Sequence, residues 1–282
     1  MVRERIADDI YLFSSRRYAQ VTAGAILTRD GVILIDTLFY PDETREIKQF
    51  LEGRLKKKVK YIVNTHYHAD HTLGTWLFPN ALVISHSRCR ELLDSAGREG
   101  LDQMRNQSQE FDDVRIILPD VMFERGVLNI YLGGKTIRLQ HCPGHSPDLI
   151  SAMAVEDNIL FASDTVMPVP TIFDGNYDAL VESLSAMRES QLVSVVQGHG
   201  EVILKGEIDG VIGSDLSYLR KIKEAVGDIV DQGLPISALE TISIESCGKS
   251  RIPLNGFVTD LHHANLRKLY LDSVGEPEAI LT

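Results

Sequence analysis

Long apolar runs, paired cysteines and an excess of positive charge are all missing from this chain of 282 residues. Residues 1–9 contain no apolar core of signal-peptide length. No stretch approaches the roughly 18 apolar residues that a membrane span requires. Three cysteines, Cys89, Cys142 and Cys247, are too few and too scattered to form a disulfide framework. These absences predict a soluble, cytoplasmic protein without a membrane partner.

Acidic residues outnumber basic residues by 40 to 29, which gives a formal net charge of -11. A chain with this charge does not attract nucleic acid or anionic membranes through its overall field. We therefore expect no nucleic-acid partner. A small-molecule substrate is the expected partner, and a homodimer is left open.

Strands and helices alternate in the first part of the chain. Short β-branched or apolar runs, bounded by Gly, Pro, Asn or Asp, predict strands at residues 32–35, 61–63, 81–84, 136–139, 159–162 and 193–196. Apolar residues at helical spacing predict helices over residues 42–57 and 177–190. Beyond residue 208 the pattern is helical only, over 211–230 and 258–274. The sequence therefore predicts an α/β domain over residues 1–205 and a helical C-terminal appendage over 206–282.

Two segments of the chain resemble each other. Residues 22–37 and 150–165 both read as a strand, an acidic turn, a second strand and then Asp-Thr. If this is a true repeat and not chance, it predicts two similar halves packed together. Between these segments, residues 87–111 are mostly polar and favour helix. This segment is expected to be either a lid near a site or a plain surface helix.

The densest polar feature is a histidine cluster. Three of the nine histidines fall within six residues, in an H-x-H-x-D-H motif formed by His66, His68, Asp70 and His71. Imidazole nitrogens and carboxylate oxygens are ligands that zinc, iron and manganese accept. A buried cluster without a metal would leave several polar groups in need of partners. The motif therefore predicts a metal site that follows the strand at residues 61–63.

Three further ligand candidates each follow an apolar run, namely His145, Asp164 and His199. Side chains at strand ends are held rigidly while one side of the site stays open. Glycines at positions 144, 198 and 200 permit sharp turns and close approach beside the two histidines. Taken singly, each candidate is a weak signal, because a lone Gly-His is more often an ordinary turn with a hydrogen-bonded histidine. Their order after the histidine motif is what points to a metal centre.

This order of residues resembles that of the metallo-β-lactamase superfamily over about residues 6–205. The resemblance implies a four-layer αββα sandwich with the site at one edge of the β-sandwich. It implies two divalent metal ions, zinc first, with iron or manganese as alternatives. The implied ligands are His66, His68 and His145 on the first ion, Asp70, His71 and His199 on the second ion, and Asp164 bridging both.

The resemblance also implies an activity, that of a metal-dependent hydrolase with a metallo-β-lactamase-type catalytic domain. A water bridging two cations is hydroxide at working pH, and it attacks a carbonyl or phosphoryl centre. Asp70 is the expected catalytic residue, because it can steer this water and shuttle its proton. Candidates for hydrogen bonds that orient the ligands are Asp36, Thr65, Ser146 and Ser163.

Substrate choice depends on features outside the ligand set. An aspartate at position 164 resembles the family's hydrolases of thioesters, lactones and phosphodiesters more than its zinc β-lactamases. We therefore expect a small ester, thioester or lactone. Tyr67, or a tyrosine near the mouth of the site, is a candidate to polarise a carbonyl. Glyoxalase II is similar in its ligands and its helical C-terminal addition, and the basic residues available here to hold a glutathione carboxylate are Lys249, Arg251, Arg267 and Lys268.

Other activities stay open at this point. Persulfide dioxygenases resemble the same fold but use one iron with O₂, and His66, His145 and Asp164 provide the two histidines and one carboxylate that suit non-haem iron. A phosphodiesterase or nuclease of the same fold is another alternative, although the acidic balance argues against RNA. A ligand-binding protein with an unused site is the third.

Four histidines and all three cysteines lie outside the ligand pattern. His86 and His141 are not part of it. His262 and His263 fall on the predicted C-terminal helix, from which they either reach the mouth of the site or, as we expect, face solvent. Cys142, three residues before His145, is expected to be a buried small apolar side chain.

Overall fold

Two β-sheets form the centre of the computed structural model, which describes residues 1–172, 174–188 and 191–275. The first sheet has seven strands in chain order: β1 (Val2–Ala7), β2 (Ile10–Ser14), β3 (Thr22–Leu27), β4 (Val32–Ile35), β5 (Val59–Val63), β6 (Leu82–His86) and β7 (Val121–Phe123). Strands β1 to β4 pair in antiparallel fashion, and β4 to β7 run parallel.

The second sheet has six strands in the spatial order β13-β12-β11-β10-β9-β8. They are β8 (Val127–Leu132), β9 (Lys135–His141), β10 (Ile150–Ala154), β11 (Ile159–Ser163), β12 (Ser194–Gln197) and β13 (Val202–Leu204). Strands β11 and β12 run parallel, and the other neighbours are antiparallel. All strands predicted from the sequence are therefore present.

Seven α-helices occur in the described ranges: α1 (Pro41–Lys48), α2 (Ala69–Thr72), α3 (Ser87–Leu92), α4 (Arg98–Gln107), α5 (Tyr177–Arg188), α6 (Ile208–Asp231) and α7 (Val258–Val274). Gln49–Arg54 and Leu93–Gly97 are π-helical, and 3₁₀ turns occur at Thr75–Leu77, Gln109–Phe111, Ile236–Thr241 and Pro253–Gly256. The helix predicted over 42–57 is thus α1 with a π-helical end. The helix predicted over 177–190 is α5, and its last two residues lie outside the described ranges.

The two sheets pack face to face. Ile33 and Ile84 of the first sheet lie in one buried cluster with Leu139 and Phe161 of the second. Gly24 faces Phe161 across this interface, and a Cβ at position 24 would lie 2.1 Å from Cε1 of that ring. Glycine at this position therefore permits the close approach of the sheets.

Helices cover the two outer faces of the sandwich. Ile47 of α1 packs in a cluster with Leu34 and Ile62 on the outer face of the first sheet. Leu184 of α5 packs in a cluster with Val195 on the outer face of the second sheet. The layers are therefore helix, sheet, sheet, helix, which confirms the predicted αββα architecture.

The C-terminal helices are continuous with this core. Tyr218 of α6 and Leu266 of α7 belong to the same buried cluster as Leu184. The two predicted C-terminal helices are thus confirmed as α6 and α7, and the division at residues 205 and 206 stays a prediction. Within the described ranges, no helix has the length and apolar character needed to cross a membrane.

The predicted internal repeat corresponds to two similar hairpins. Strands β3 and β4 form one antiparallel hairpin, and β10 and β11 form the other. In each half the second strand of the hairpin pairs in parallel with the next strand, β5 or β12. The chain therefore contains the two similar halves that a repeat predicts.

A buried ion pair joins α6 to the segment that follows it. Lys249 Nζ donates to the carboxylate of Asp215, which has no exposed surface. Burial raises the pKa of Asp215 to about 6, although Lys249 opposes this shift. Because this pKa lies above the value of about 3.9 for an unfolded chain, protonated Asp215 favours folding, and that contribution is lost as pH rises through about 6.

We expect Lys249→Met to lower the free energy of unfolding by about 3–5 kcal/mol at neutral pH, because it leaves the buried charge of Asp215 unpaired. The loss should shrink at about pH 5, where Asp215 is mostly protonated. Urea unfolding at both pH values measures this. Arg251→Met is the matched control, since it removes only an exposed pair with Glu245 and should change stability little. Equal effects of the two substitutions would contradict the prediction.

Candidate metal centre

All seven predicted ligands follow strands and meet at one edge of the sandwich. The histidine motif leads from the end of β5 into the short helix α2. His145 follows β9, Asp164 follows β11 directly, and His199 follows β12. Each half of the molecule therefore contributes to the cluster.

The first ligand group consists of His66, His68, His145 and Asp164. His68 Nδ1 lies 3.0 Å from both His66 Nε2 and His145 Nε2. Asp164 Oδ2 lies 3.3 Å from His145 Nε2 and 3.9 Å from His66 Nε2. Three nitrogens and one carboxylate oxygen thus surround one small volume.

The second ligand group consists of Asp70, His71 and His199. Asp70 Oδ2 lies 3.2 Å from His199 Nε2 and 3.8 Å from His71 Nε2. Asp164 also faces this group, with Oδ1 3.2 Å from His71 Nε2 and Oδ2 3.4 Å from His199 Nε2. Its carboxylate lies between the two groups, where a bridging ligand would have to be.

Gly198 makes room for this carboxylate. A Cβ at position 198 would lie 1.7 Å from Asp164 Oδ1. The backbone N–H of Gly198 donates to Ser163 O at 2.9 Å, so the turn before His199 is fastened to the end of β11. The glycine expected to permit close approach here is therefore required by the position of Asp164.

The spacing of the donor atoms fits metal ions. Two donors bound to one tetrahedral zinc at about 2.0–2.1 Å lie roughly 3.3 Å apart, and the separations here run from 3.0 to 3.9 Å. His71 Nε2 and Asp164 Oδ1 are both buried, and neither makes a hydrogen bond within the described ranges. A cation between the groups would satisfy both atoms. The set of nitrogen and carboxylate donors suits zinc, iron or manganese.

The outward nitrogen of every ligand histidine has an oxygen partner. The pairs are His66 Nδ1 with Thr65 Oγ1 (3.2 Å), His68 Nε2 with Asp174 Oδ2 (3.0 Å), His71 Nδ1 with Asp36 Oδ2 (3.0 Å), His145 Nδ1 with Thr171 Oγ1 (2.6 Å) and His199 Nδ1 with Ala19 O (2.9 Å). When the imidazole is neutral and its outward nitrogen donates to this oxygen, the inward nitrogen has a lone pair for a cation. Lone pairs that face one another at 3.0 Å are stabilised by a cation between them.

Asp36 connects the two ligand groups. Its carboxylate accepts hydrogen bonds from Thr65 N and Thr65 Oγ1, at 2.7 Å each, and from His71 Nδ1 at 3.0 Å. Thr65 Oγ1 also lies 2.8 Å from Ser163 Oγ and contacts His66. Asp36 directly follows β4 and adopts a left-handed φ of 57°, which is uncommon for a residue other than glycine. These contacts support the predicted role of Asp36, Thr65 and Ser163 in orienting the ligands.

Two partners of the ligands carry no signal in the sequence. Asp174 accepts from both His68 and the Tyr67 hydroxyl, and Thr171 accepts from His145. Both lie after β11 in a stretch whose described residues form neither strand nor helix, so no periodicity marks them. Ser146 donates to Asp148 Oδ1 at 2.8 Å and bonds to no ligand in the described ranges, which makes its predicted role wrong.

The four histidines outside the two ligand groups lie in three different environments. The prediction that His262 faces solvent is wrong. His262 is fully buried, because it lies on the side of α7 that packs against the rest of the protein. His263 is exposed, as predicted. His86 and His141 stack on each other, with ring centroids 4.0 Å apart, and belong to neither ligand group. Cys142 is buried, as predicted.

The charges in the cluster shift one another's pKa values. Burial lowers the pKa of His145 to about 4 and, with the neighbouring imidazoles, that of His66 well below its ordinary value. Burial acts in the same direction on His199, but Asp164 and Asp70 raise its pKa to about 10. Burial alone would raise the pKa of Asp70, yet His71 and His199 lower it to about 2. The histidines likewise hold the pKa of Asp164 well below its ordinary value against the effect of burial, so Asp70 and Asp164 stay ionised. Protons therefore compete with cations for the second group.

A cavity of about 350 Å³ opens above both ligand groups. Its floor contains five of the ligands, and its wall consists of Tyr18, Phe39, Ala69, Met104, Met167, Thr171, Phe257 and Leu261. Met104 belongs to the segment over residues 87–111, which therefore reaches the site. The C-terminal region also reaches the cavity through Phe257 and Leu261, whereas His262 and His263 do not line it. A cleft of about 400 Å³ between α5 and the second sheet contains none of the ligands.

The fold and the ligand pattern have clear relatives. The sequence profile of the metallo-β-lactamase superfamily matches residues 16–226. A hydroxyacylglutathione hydrolase of Rhodopseudomonas palustris is 28% identical over 134 residues, which cover 47% of this chain and 44% of that protein. An atrochrysone carboxyl ACP thioesterase of Claviceps purpurea is 22% identical over 194 residues, covering 69% of this chain and 54% of that protein. The chain thus spans about half the length of these curated relatives.

Solved structures resemble this fold at lower sequence identity. A metallo-β-lactamase from Pontibacter korlensis superposes with a TM-score of 0.63 at 20% identity, covering 78% of this chain and 98% of that one. The stereoselective inverting sec-alkylsulfatase Pisa1 from Pseudomonas sp. superposes with a TM-score of 0.74 at 15% identity, covering 99% of this chain and 51% of that one. Both likenesses concern the fold alone.

We expect Asp36→Asn to weaken zinc binding by about 10–100-fold, because the carboxylate fixes the His71 ring and the Thr65 hydroxyl at the same time. Competition with a chromophoric zinc chelator measures the affinity. Asp42→Asn is the matched control, since Asp42 pairs with Arg17 at the surface. A folded Asp36→Asn variant that binds zinc like the wild type would contradict this role.

Proposed function

Because this chain belongs to the metallo-β-lactamase superfamily, we propose that it is a hydrolase that uses two divalent metal ions to cleave a small ester, thioester or lactone. The ligands proposed for the first ion are His66, His68 and His145, those for the second are Asp70, His71 and His199, and Asp164 is the bridge. Zinc is the proposed metal, since four-coordinate sites built from imidazole and carboxylate are typical of it.

The position of Asp164 carries this proposal. Its two carboxylate oxygens face histidines of both groups at distances of 3.2 to 3.9 Å. Only 4% of its side chain is exposed. A carboxylate buried this deeply among imidazoles needs compensating positive charge, and two cations that share it would provide that charge.

Bound divalent ions would polarise a carbonyl and lower the pKa of a water molecule. Asp70 is the proposed catalytic residue, because it lines the cavity and keeps 14% of its side chain exposed. While Oδ2 faces His199, Oδ1 can accept a hydrogen bond from the attacking water, steer it and shuttle its proton onward. The apolar wall excludes bulk water from the reaction.

Thioesters are the first substrates to test. Two of the similar proteins are named as a hydroxyacylglutathione hydrolase and an ACP thioesterase, which supports this order. Elemental analysis of the purified protein should find about two zinc ions per chain. About one iron per chain, with O₂ uptake on persulfides, would overturn the proposal in favour of a dioxygenase built on His66, His145 and Asp164.

A cytoplasmic location remains part of the proposal. The three cysteines are all buried and free. Unpaired cysteines are the ordinary condition of proteins in a reducing compartment.

We expect Asp164→Ala to abolish thioester hydrolysis and to lower the number of bound metal ions, because it removes the oxygen donors that both groups share. Activity assays and elemental analysis of the same preparation measure both effects. His263→Ala is the control. That side chain is exposed, belongs to neither ligand group and does not line the cavity, so both values should stay unchanged. Full activity in the Asp164 variant would sink the assignment.

A further inference from the structure

We infer that the substrate presents an uncharged, apolar acyl group to this site, and that Phe257 and Met104 determine the preference for it. This inference rests on the proposed hydrolase function and narrows its substrate. The composition of the cavity wall, the packing of its aromatic rings and the positions of the nearby cations support it.

The wall above the ligands is almost entirely apolar. Six of its side chains are large and apolar or aromatic: Tyr18, Phe39, Met104, Met167, Phe257 and Leu261. They come from the β2–β3 loop, the segment after β4, helix α4, the segment after β11 and the start of α7. Phe257 is 36% exposed, which leaves a large aromatic surface at the rim of the cavity.

Aromatic packing holds part of this wall in place. Tyr18 stacks on Phe39, with ring centroids 4.6 Å apart and an interplanar angle of 16°. Phe39 also packs edge-on against Phe111 at 5.3 Å, and Tyr18 lies 6.4 Å from Phe257. A preformed apolar wall binds an apolar group without the cost of ordering its own side chains.

Cations that would hold an anionic substrate do not face the cavity. No lysine or arginine is among the described residues that line it. Of the four basic residues considered for a glutathione carboxylate, Lys249 pairs with Asp215, Arg251 with Glu245 and Lys268 with Asp272, and Arg267 does not line the cavity. Arg17, beside Tyr18, pairs with Asp42 and Glu110. The two carboxylates of a glutathione leaving group therefore meet no positive side chain on this wall.

The test compares thioesters that share one small neutral thiol and differ in acyl length, from acetyl to octanoyl. Burial of each added methylene should raise kcat/KM about three- to four-fold until the chain outgrows the cavity. The glutathione thioester of the same acyl group should gain nothing over the neutral one. A flat or falling length dependence, or a clear preference for the glutathione thioester, would overturn the inference.

Substitutions in the cavity wall test whether Phe257 and Met104 cause the dependence of kcat/KM on acyl length. Phe257→Ala and Met104→Ala should each reduce the gain per methylene. Ile252→Ala is the matched control, because Ile252 is 78% exposed, lies close to Phe257 in the chain and does not line the cavity. An unchanged length dependence in both wall variants would contradict their role.

A binding measurement separates this inference from the proposed function. If the metal-loaded protein hydrolyses no ester, thioester or lactone, the proposed function fails. Calorimetry with N-methyloctanamide and N-methylacetamide still decides the character of the pocket. Tighter binding of the longer amide, weakened by Phe257→Ala, supports the apolar acyl site, and equal binding of the two amides overturns it.

A second inference rests on a different observation: we infer that Asn265 of α7 is a positioning residue for the ligand His145. Asn265 Nδ2 donates to Pro170 O at 2.7 Å, and its Oδ1 accepts from Ile172 N at 2.8 Å. These two bonds hold the backbone on either side of Thr171, whose hydroxyl accepts from His145 Nδ1. The amide therefore fixes a contact that helps to orient the His145 ring.

A buried chain of hydrogen bonds holds this amide in turn. Asn265 Nδ2 donates to Tyr218 OH at 3.2 Å, and Tyr218 OH donates to His262 Nδ1 at 2.9 Å. His262 Nε2 then donates to Ile242 O at 3.0 Å. Asn265, Tyr218 and His262 are all fully buried. Helices α6 and α7 are thus joined to the metal centre by polar contacts as well as by apolar packing.

Asn265→Leu should weaken zinc binding about ten-fold, as loss of an outer hydrogen-bond partner typically does. Tyr218→Phe is the matched comparison, since it removes one acceptor of the amide but leaves both bonds of Asn265 to the backbone beside Thr171, and it should lower stability with a much smaller loss of zinc affinity. Chelator competition gives the affinity, and urea unfolding gives the stability. Thr171→Val should reproduce the loss and Thr171→Ser should restore it.

Equal zinc affinity in Asn265→Leu, Tyr218→Phe and the wild type would overturn the positioning role. Asn265→Ala serves the same comparison if the leucine variant does not fold. A zinc affinity that falls in proportion to stability in all variants would also count against it, because it would show a purely structural contact.

Discussion

Asp164 is a carboxylate buried among the imidazoles of His66, His71, His145 and His199, and the arrangement of this edge of the protein follows from its charge. A buried ion is costly unless opposite charge surrounds it. The end of β11 brings the carboxylate to the point where both sheets terminate, and Gly198 leaves the space it occupies. The outward ring nitrogens are fixed by oxygen acceptors, so the inward nitrogens present lone pairs. The site is therefore organised around positive charge before any substrate enters.

Much of this centre could be predicted from the sequence because its ligands lie in short motifs at the ends of apolar runs. The four ligands of the histidine motif lie within six residues of the chain. His145, Asp164 and His199 each follow a strand. Asp174 and Thr171 could not be predicted, because they meet their histidines only in the folded chain. His262 is different: Val258, Leu261, Asn265 and Leu266 share its buried side of α7. Their helical spacing was visible in the sequence, and a polar residue on such a stripe signals a buried network.

The C-terminal helices are part of the site as well as part of the core. They share the buried cluster outside the second sheet, and α7 begins beside the cavity. Tyr218, His262 and Asn265 satisfy their hydrogen-bonding groups with one another and with the backbone, so these bonds compensate the desolvation of the buried network. The helical pattern beyond residue 208 does not show which face of each helix contacts the rest of the molecule, so this contact with the metal centre could not be predicted from it.

The division of the ligands between the two halves has a consequence for how long the protein persists in a cell. His66, His68, Asp70 and His71 come from the first half, and His145, Asp164 and His199 come from the second. Each ion would therefore link one sheet to the other across the open edge of the sandwich. Metal binding and the closure of that edge are then one equilibrium. In a cell short of metal, the halves would be joined at this edge only by packing and by hydrogen bonds such as that between Thr65 and Ser163, and proteases would remove the protein at a rate set by metal supply.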